Sequence, residues 1–274
     1  MATVVHLSNY LVKRDASRVM VKAGMRPDSW QKRLLRRRPH RLLVTTSRQS
    51  GKSTSCAGLG LHRAVVQPEA TIVAVSPTQR QSTLLIRKVR AFAKAVGVEL
   101  VKDNALSLEL VNGSVIYALP GSPDTVRGYS PHLLMIDEAA YTTDALYTAC
   151  LPMLAATGGD LVCVSTPNGQ RGWFWAEWDG QGAAGWERIE VPYTEISRIT
   201  PEFIAGQKAS MSRERFAAEY ECRFNSSTFG LFSAADLDAA MQREPIAADG
   251  TGLPDAREII ARNRQRLDQA KAAS

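Results

Sequence analysis

Residues 41–53, RLLVTTSRQSGKS, decide the fold class of this chain of 274 residues. An apolar run, residues 41–46, leads directly into a loop that ends in Gly-Lys-Ser, and a stretch of helical length follows. A strand, such a loop and a helix make a phosphate-binding loop, in which backbone N–H groups and the helix N-terminus cradle phosphate oxygens. The motif fits G-x-x-x-x-G-K-[ST], except that Thr46 replaces the first glycine. The sequence therefore predicts a nucleotide site at the end of the first strand.

The residues of this loop have assignable roles. Gly51 lets the backbone approach the phosphates, Lys52 neutralises the β- and γ-phosphates, and Ser53 offers a hydroxyl to Mg²⁺. The neighbouring residues supply backbone N–H groups and short polar side chains. We predict that ATP is bound by Ser47, Arg48, Gln49, Ser50, Gly51, Lys52, Ser53 and Thr54.

A second motif, LLMIDE at residues 133–138, is an apolar run that ends in two carboxylates. An acid at the end of a buried strand can hold the water shell of Mg²⁺, so Ser53 and Asp137 are the predicted magnesium residues. Glu138 can orient or deprotonate the attacking water as a general base. Two acids also favour the start of a helix, but the phosphate loop upstream makes catalysis the better interpretation. The sequence predicts hydrolysis of ATP.

A third motif, STPNG at residues 165–169, follows another apolar run. Thr166 and Asn168 could sense the γ-phosphate from the neighbouring strand end, because ligands of open parallel sheets bind at that edge. Pro-Asn-Gly is also strong turn chemistry. The two interpretations are compatible.

The rest of the chain predicts an α/β fold, a mostly parallel sheet with helices on both faces. Two segments of helical length, residues 52–66 and 78–96, separate strand-like runs, and in the second the residues Leu84, Leu85, Val89, Phe92 and Val96 have helical spacing. Asn112-Gly113 predicts a hairpin with a primed turn, between residues 102–110 and 114–119. The predicted buried strands are residues 41–46, 71–76, 114–119, 132–137 and 161–166.

Beyond Pro192 the pattern changes to helices, predicted near residues 201–211, 212–223 and 254–272. No apolar run reaches the roughly 18–20 residues that a transmembrane helix needs, and no signal peptide begins the chain, so we expect a cytosolic protein without a membrane partner. The four cysteines and four histidines are too scattered for a disulfide framework or a metal site of side chains alone. The net charge of +7 and pI near 9.4 favour an acidic partner such as nucleic acid.

Together these motifs resemble the large terminase family of tailed bacteriophages. The loop lacks its first glycine and carries an arginine, as that family's loop does, and residues 136–140 and 165–169 resemble its Walker B and coupling motifs. Trp30-Gln31 resembles its adenine-recognition segment, and FAAEYECRF at residues 216–224 resembles the end of its lid region. The likeness spans roughly residues 25–235.

The resemblance implies a P-loop NTPase fold of the ASCE (RecA-like) type. Its ATPase core would span residues 1–195, a helical lid 196–235, and a C-terminal tail 236–274. It implies a motor that is driven by ATP and Mg²⁺ and acts in the host cytoplasm. Copies of the chain would form a homo-oligomeric ring on the portal of a procapsid. A small terminase subunit would be a further partner. The motor would drive double-stranded DNA inward without sequence preference.

The resemblance also assigns roles to arginines. Arg48 could reach the γ-phosphate of its own subunit, whereas Arg127 could project into the neighbouring subunit's site as an arginine finger. Trp30 and Gln31 would contact the adenine. Which arginine serves as the finger stays open. The family's nuclease domain is not recognisable, because Asp236 and Asp238 follow a helical pattern, and no nuclease activity is expected of this chain.

DNA contact is predicted from basic side chains, because Lys and Arg that neutralise phosphates bind duplex without reading its sequence. The candidates on the second long helix are Arg80, Arg87, Lys88 and Arg90; a solvated helix face is an equal alternative. A basic run, residues 32–41, could serve instead. The cluster Trp173, Phe174, Trp175 and Trp178 is expected to pack in the core.

Two other functions remain open from the residues. Asp137-Glu138-Ala139-Ala140 also resembles the DExx box of superfamily 2-type helicases, which usually need a second RecA-like lobe. A module that binds ATP only to lock an interface is disfavoured by intact catalytic carboxylates. The packaging motor is the leading hypothesis.

Overall fold

The protein is described by a computed structural model that covers residues 14–37, 40–180 and 185–226. The described part contains an eight-stranded sheet of order β3-β4-β5-β2-β6-β7-β1-β8. Strand β4 runs antiparallel to both of its neighbours, and the other pairs are parallel. The strands are β1 (Arg41–Thr46), β2 (Thr71–Ser76), β3 (Leu100–Asp103), β4 (Ser107–Leu110), β5 (Val115–Pro120), β6 (Leu133–Asp137), β7 (Asp160–Ser165) and β8 (Glu187–Val191).

Helices cover both faces of this sheet, which confirms the predicted α/β class. They are α1 (Ser17–Lys22), α2 (Ser29–Arg36), α3 (Lys52–Val66), α4 (Gln79–Val96), α5 (Pro123–Val126), α6 (Asp144–Cys150), α7 (Gly172–Asp179), α8 (Pro201–Ser210) and α9 (Arg213–Tyr220). Successive strand residues point to opposite faces. Val44 and Ile72 therefore pack with helices α1 to α4, whereas Leu43 and Val73 pack with α6 and α7.

The five predicted strands are confirmed with boundaries that differ by at most one residue. Helix α3 has the predicted bounds, and α4 begins one residue later than predicted because Thr78 is its N-cap. The Thr78 hydroxyl accepts a hydrogen bond from the backbone N–H of Gln81, and Gly97 ends the helix in the left-handed conformation at φ +74°. One side chain of the predicted apolar face is placed differently: Leu84 is exposed, and Ile86 takes its place in the core.

The predicted hairpin at Asn112-Gly113 forms between β4 and β5, but its turn is not a primed one. Only Gly113 has a positive φ, at +80°, and its N–H bonds to the carbonyl of Leu110. The Leu110 N–H in turn bonds to the carbonyl of Ser114, which is the longer hairpin loop with a left-handed glycine. The strand predicted at residues 102–110 is divided into β3 and β4, and the edge strand β8 was not predicted.

After β8 the chain forms the two predicted helices, α8 and α9. Ile204, Phe216 and Tyr220 make a small apolar cluster of their own between these helices. The predicted helix at residues 254–272, and the acids Asp236 and Asp238, lie outside the described residues, as does the whole predicted tail, residues 236–274. Within the part of the chain that the structure describes, no helix is long and apolar enough to cross a membrane.

Candidate nucleotide site

The predicted phosphate loop and carboxylates meet at the carboxyl ends of β1 and β6, with β7 between these strands. The Nζ of Lys52 lies 3.4 Å from Oε1 of Glu138. The hydroxyl of Ser53 donates a hydrogen bond of 2.6 Å to Oδ2 of Asp137. Two loops that are distant in the sequence therefore converge, in the pairs expected of a nucleoside triphosphate site.

The loop between β1 and α3 explains why a glycine is not needed at its start. Thr46 is fully buried, its φ is not positive, and its hydroxyl accepts a hydrogen bond of 2.9 Å from Ser50. The left-handed positions come later, at Gln49 (φ +58°) and Gly51 (φ +90°). A Cβ at Gly51 would lie 2.9 Å from Nε2 of Gln31, so both conformation and space require glycine there.

The carboxylate of Glu138 is poised for proton transfer. It follows β6 in a left-handed conformation at φ +55°, and 26% of its side chain is exposed. One oxygen faces Lys52, whereas the buried Oε2 has no hydrogen-bond partner. Burial raises the pKa of Glu138, although the charge of Lys52 opposes this effect. An unpartnered carboxylate oxygen with a raised pKa beside a phosphate loop is suited to accept a proton from water.

The oxygens of Ser53 and Asp137 fit a magnesium ion. Hydroxyl and carboxylate oxygens are the hard ligands that Mg²⁺ prefers, and their close approach shows that one ion could contact both. Among the described residues no group of three or more His, Cys, Asp and Glu side chains could hold a metal alone. An ion at Ser53 and Asp137 would take its remaining ligands from water and substrate phosphates.

A cavity of about 470 Å³ lies beside the phosphate loop. It combines the thioether side chains of two methionines with amide and guanidinium groups. Its lining residues are Met20, Met25, Arg26, Gln31, Gln49, Gly51, Thr54, Ser197 and Arg198. Its position and its mixed walls suit the base and ribose of a nucleotide.

Of the two residues predicted to contact the adenine, Gln31 lies at the cavity and Trp30 does not. Gln31 lines the cavity, but its amide is already engaged: Oε1 accepts from the backbone N–H of Asp28 at 2.9 Å, and Nε2 donates to the Ser55 hydroxyl at 3.1 Å. Trp30 is fully buried in the core and does not line the cavity. The structure therefore does not bring Trp30 together with the other site residues.

Arg48 is held by α9 in this structure. Its backbone N–H donates to the carbonyl of Glu219 at 2.7 Å, and its guanidinium is paired with the Glu219 carboxylate. This hydrogen bond raises the pKa of Arg48 above its already high value. Glu219 lies in the segment that resembles the lid, but its contact with Arg48 was not predicted, because residues 171 positions apart leave no local signal of a contact.

The coupling segment after β7 is attached to the residues that follow Glu138. The hydroxyl of Ser165 accepts from the N–H of Ala140 at 3.1 Å, and the amide of Asn168 donates to the carbonyl of Ala140 at 3.0 Å. The hydroxyl of Thr166 lies 3.4 Å from that of Tyr141. The predicted residues Thr166 and Asn168 thus sit next to the segment that follows Asp137 and Glu138.

Arg127 stands apart from this group. It follows α5, its side chain is 70% exposed, and it pairs with the acid Asp124 at 3.5 Å. The structure does not bring Arg127 together with Lys52 or Glu138 of the same subunit. Its exposure leaves it available to another molecule.

The basic residues predicted to contact DNA differ in their exposure and in whether they form ion pairs. Arg80 and Arg87 are exposed on α4 and Lys88 is half-buried, whereas Arg90 forms an ion pair with Asp103 at 2.5 Å. Three arginines of the basic run are also occupied, in the pairs Arg33–Glu195, Arg36–Asp15 and Arg37–Glu187, all within 2.8 Å. The hydrogen bond from Arg36 holds the pKa of Asp15 at about 2. Arg80 and Arg87 are the better candidates.

The aromatic cluster packs as predicted. Trp173 and Phe174 are buried, and the Trp173 ring stacks on Tyr147 with centroids 4.0 Å apart. Trp175 and Trp178 are half-buried against Phe224.

Comparisons with known proteins agree with this geometry. The sequence profile described as terminase large subunit, T4likevirus-type, N-terminal, matches residues 43–239. The fold resembles the large terminase ATPase domain of Thermus phage P74-26, with a TM-score of 0.66 and 20% identity over 75% of this chain and 96% of that one.

Two longer proteins share the same fold. The ADP complex of a large terminase from a thermophilic bacteriophage gives a TM-score of 0.64 at 13% identity, over 74% of this chain and 54% of that one. The HK97 bacteriophage large terminase gives a TM-score of 0.60 at 17% identity, over 74% of this chain and 52% of that one. The chain therefore spans about half the length of these two terminases.

Proposed function

The chain belongs to the terminase large subunit family of the T4-like virus type, and on this premise we propose that it hydrolyses ATP with Mg²⁺ to move double-stranded DNA into a procapsid. The observation that carries the proposal is the convergence of Lys52 with Glu138 and of Ser53 with Asp137 at one sheet edge. The large terminase of the thermophilic bacteriophage has been determined with ADP and with ATP-γ-S, which supports nucleotide binding by this fold.

In the proposed reaction the phosphate loop holds the β- and γ-phosphates through backbone N–H groups and the charge of Lys52. Ser53 and Asp137 would hold Mg²⁺, which neutralises charge on the phosphate oxygens when it is bound. Glu138 orients the attacking water and accepts its proton through the oxygen that has no partner. Thr166 and Asn168 sense the γ-phosphate and pass its presence to residues 139–141.

An arginine would complete the site by stabilising charge in the transition state. Arg48 acts within its own subunit only if its pair with Glu219 opens. Arg127 is largely exposed, which supports its action in the neighbouring subunit of a ring. We propose Arg127 as the finger supplied in trans and Arg48 as a residue of the subunit's own loop.

The proposed partners follow from the packaging function. Duplex DNA would contact Arg80 and Arg87 without sequence preference. The portal of the procapsid, a small terminase subunit and further copies of this chain would complete the motor in the host cytoplasm. We also propose that the ATPase core ends near residue 195 and that α8 and α9 form the lid, and we expect no nuclease activity from this chain. Membership in the terminase family favours this motor over the helicase that the DExx-like motif allowed.

ATP turnover per subunit, measured over a wide range of protein concentration at fixed salt, tests the proposal. We expect a rate that rises with concentration, because a site completed in trans needs a neighbour. Arg127→Ala subunits should regain turnover when they are mixed with Lys52→Ala subunits, since each supplies what the other lacks. A constant rate at every concentration, without rescue on mixing, would contradict action in trans. Absence of any ATP turnover would contradict the proposed function.

A further inference from the structure

Arg198, in the segment between β8 and α8, is fixed at the wall of the nucleotide cavity by two acceptors. Its Nη1 donates to Oδ2 of Asp28 at 2.5 Å, and its Nη2 donates to the carbonyl of Ser50 in the phosphate loop at 2.8 Å. The Ser197 hydroxyl donates to the second oxygen of Asp28 at 2.7 Å. The guanidinium therefore joins α2, the phosphate loop and the segment after β8.

The burial of Asp28 explains why Arg198 keeps this position. Only 2% of the Asp28 side chain is exposed. A buried carboxylate is costly unless a charged partner and hydrogen bonds compensate it, so separating the pair would destabilise the fold. The rigid, planar guanidinium thus has little freedom to turn away from the cavity.

Arg198 nevertheless keeps N–H donors that Asp28 and Ser50 do not use. A guanidinium has five N–H donors, and the two bonds to Asp28 and Ser50 leave three. The side chain is 46% exposed and lines the cavity, and its Nη2 lies 3.4 Å from where a Cβ of Gly51 would stand. Met20 and Met25 provide apolar wall in the same cavity. A planar cation and two thioethers are suited to the flat face of a nucleotide base.

We propose that Arg198 binds the base and ribose end of the nucleotide, as a preorganised planar contact that sets nucleotide affinity. The inference rests on the proposed function, because it assigns a residue to the same site. Arg26 and Gln49 also line the cavity, but Arg198 is distinguished by the two acceptors that hold its guanidinium at the wall. Arg198 touches the nucleotide but takes no part in proton transfer.

The test compares a complete nucleotide with the phosphates alone. Adenylyl imidodiphosphate and inorganic tripolyphosphate each displace a fluorescent ATP analogue from the Mg²⁺-loaded chain. In Arg198→Ala the affinity for adenylyl imidodiphosphate should fall about tenfold, near the lower end of what a base-stacking contact contributes. The affinity for tripolyphosphate should stay within about twofold, and the KM for ATP should rise without a change in kcat.

Two further variants separate binding from folding. Asp28→Asn combined with Arg198→Ala leaves no unpaired buried charge and keeps an N-cap residue, so it should fold and show the same selective loss. Arg198→Lys keeps the charge beside Asp28 without the plane and should also bind adenylyl imidodiphosphate more weakly. The matched control is Arg33→Ala, since Arg33 is 47% exposed, has an ion pair of 2.7 Å with Glu195, and does not line the cavity.

The outcomes are distinct. Selective loss of nucleotide affinity supports the inference. Equal loss for both ligands would overturn it, because Arg198 would then act only by holding Ser50 and the phosphate loop. Unchanged affinity for both ligands would overturn it as well. If the unaltered chain binds neither ligand, the proposed function fails and the inference fails with it.

Discussion

Replacing Glu138 with Gln should separate ATP binding from ATP hydrolysis. The amide keeps the shape of the carboxylate, and its oxygen can still accept from Lys52, which lies 3.4 Å away. What is lost is the proton acceptor at Oε2, the oxygen that is buried and has no partner. Removing a general base typically costs about 10²–10⁴-fold in rate. Because most of this side chain is withdrawn from solvent, bulk water cannot readily substitute, and we expect the upper half of that range.

The corresponding free energy is a rise of about 4–5 kcal/mol in the activation barrier, since each tenfold loss in rate is worth about 1.4 kcal/mol. The assay is single-turnover hydrolysis with the enzyme in excess, combined with nucleotide binding at equilibrium. The matched control is Glu109→Gln, because Glu109 is 29% exposed and pairs with Lys102 at 2.8 Å far from the site. A loss below about tenfold in Glu138→Gln, or an equal loss in the control, would refute the role of Glu138.

The raised pKa of Glu138 adds a pH dependence with a defined sign. In the unaltered enzyme hydrolysis should increase with pH through a pKa above the ordinary value of 4.5, because only the carboxylate accepts a proton. A folded-state pKa above the unfolded one means that stability is lost as pH rises through the folded pKa. Glu138→Gln should therefore melt at a higher temperature than the unaltered chain at neutral pH, and the difference should vanish below pH 4.5. A variant that melts lower at neutral pH would contradict this account of burial.

Three further predictions follow from the same geometry. Asp137→Asn should require at least about tenfold more Mg²⁺ for half-maximal turnover, because a carboxylate ligand is replaced by a weaker amide; an unchanged Mg²⁺ titration would remove Asp137 from the ion. Glu219→Gln should lower the free energy of unfolding by only about 1 kcal/mol or less, because Arg48 is 56% exposed and water screens the pair; urea denaturation measures this, and a loss above about 3 kcal/mol would mean that the pair is a structural anchor. Phe92→Ala should destabilise the fold by about 3–5 kcal/mol in the same assay, because the ring, on α4, is fully buried in the core close to Gly58 of α3; a loss below about 1 kcal/mol would mean that the core collapses around the gap.

The parts of the site on β1, β6 and β7 could be predicted because each is a local pattern. An apolar run followed by small and charged residues fixes where a strand ends, and parallel strands bring those ends to one edge. The approach of Ser53 to Asp137 is expected from their shared magnesium role, whereas the ion pair of Lys52 with Glu138 was not predicted. Thr46 is recognisable in the sequence as a departure from the motif, but the reason that it is tolerated, a hydroxyl bonded to Ser50, is visible only in the structure.

Other residues carry no such local signal. Arg198 and Glu219 reach the phosphate loop from positions 148 and 171 residues away. The segment around Glu219 resembles the lid, but neither neighbourhood indicates a contact with the loop. Trp30 was assigned to adenine by resemblance, although its spacing of four from Leu34 also indicates a buried helix face. The edge strand β8 was missed because its burial alternates and its sequence, ERIEV, has few apolar residues.

The bonds between the phosphate loop and the segments after β8 bear on when the enzyme becomes active during synthesis. The loop N–H of Ser47 bonds to the carbonyl of Val191, and that of Arg48 to the carbonyl of Glu219. The ribosome makes the Gly-Lys-Ser motif early, yet these two partners emerge only as β8 and the helices after it are made. A nascent chain therefore carries the motif for a long time without the groups that hold its shape. Contacts of such long separation close late in folding. We expect that stalled chains ending before residue 190 bind ATP weakly, so that hydrolysis begins only after residue 219 has been added.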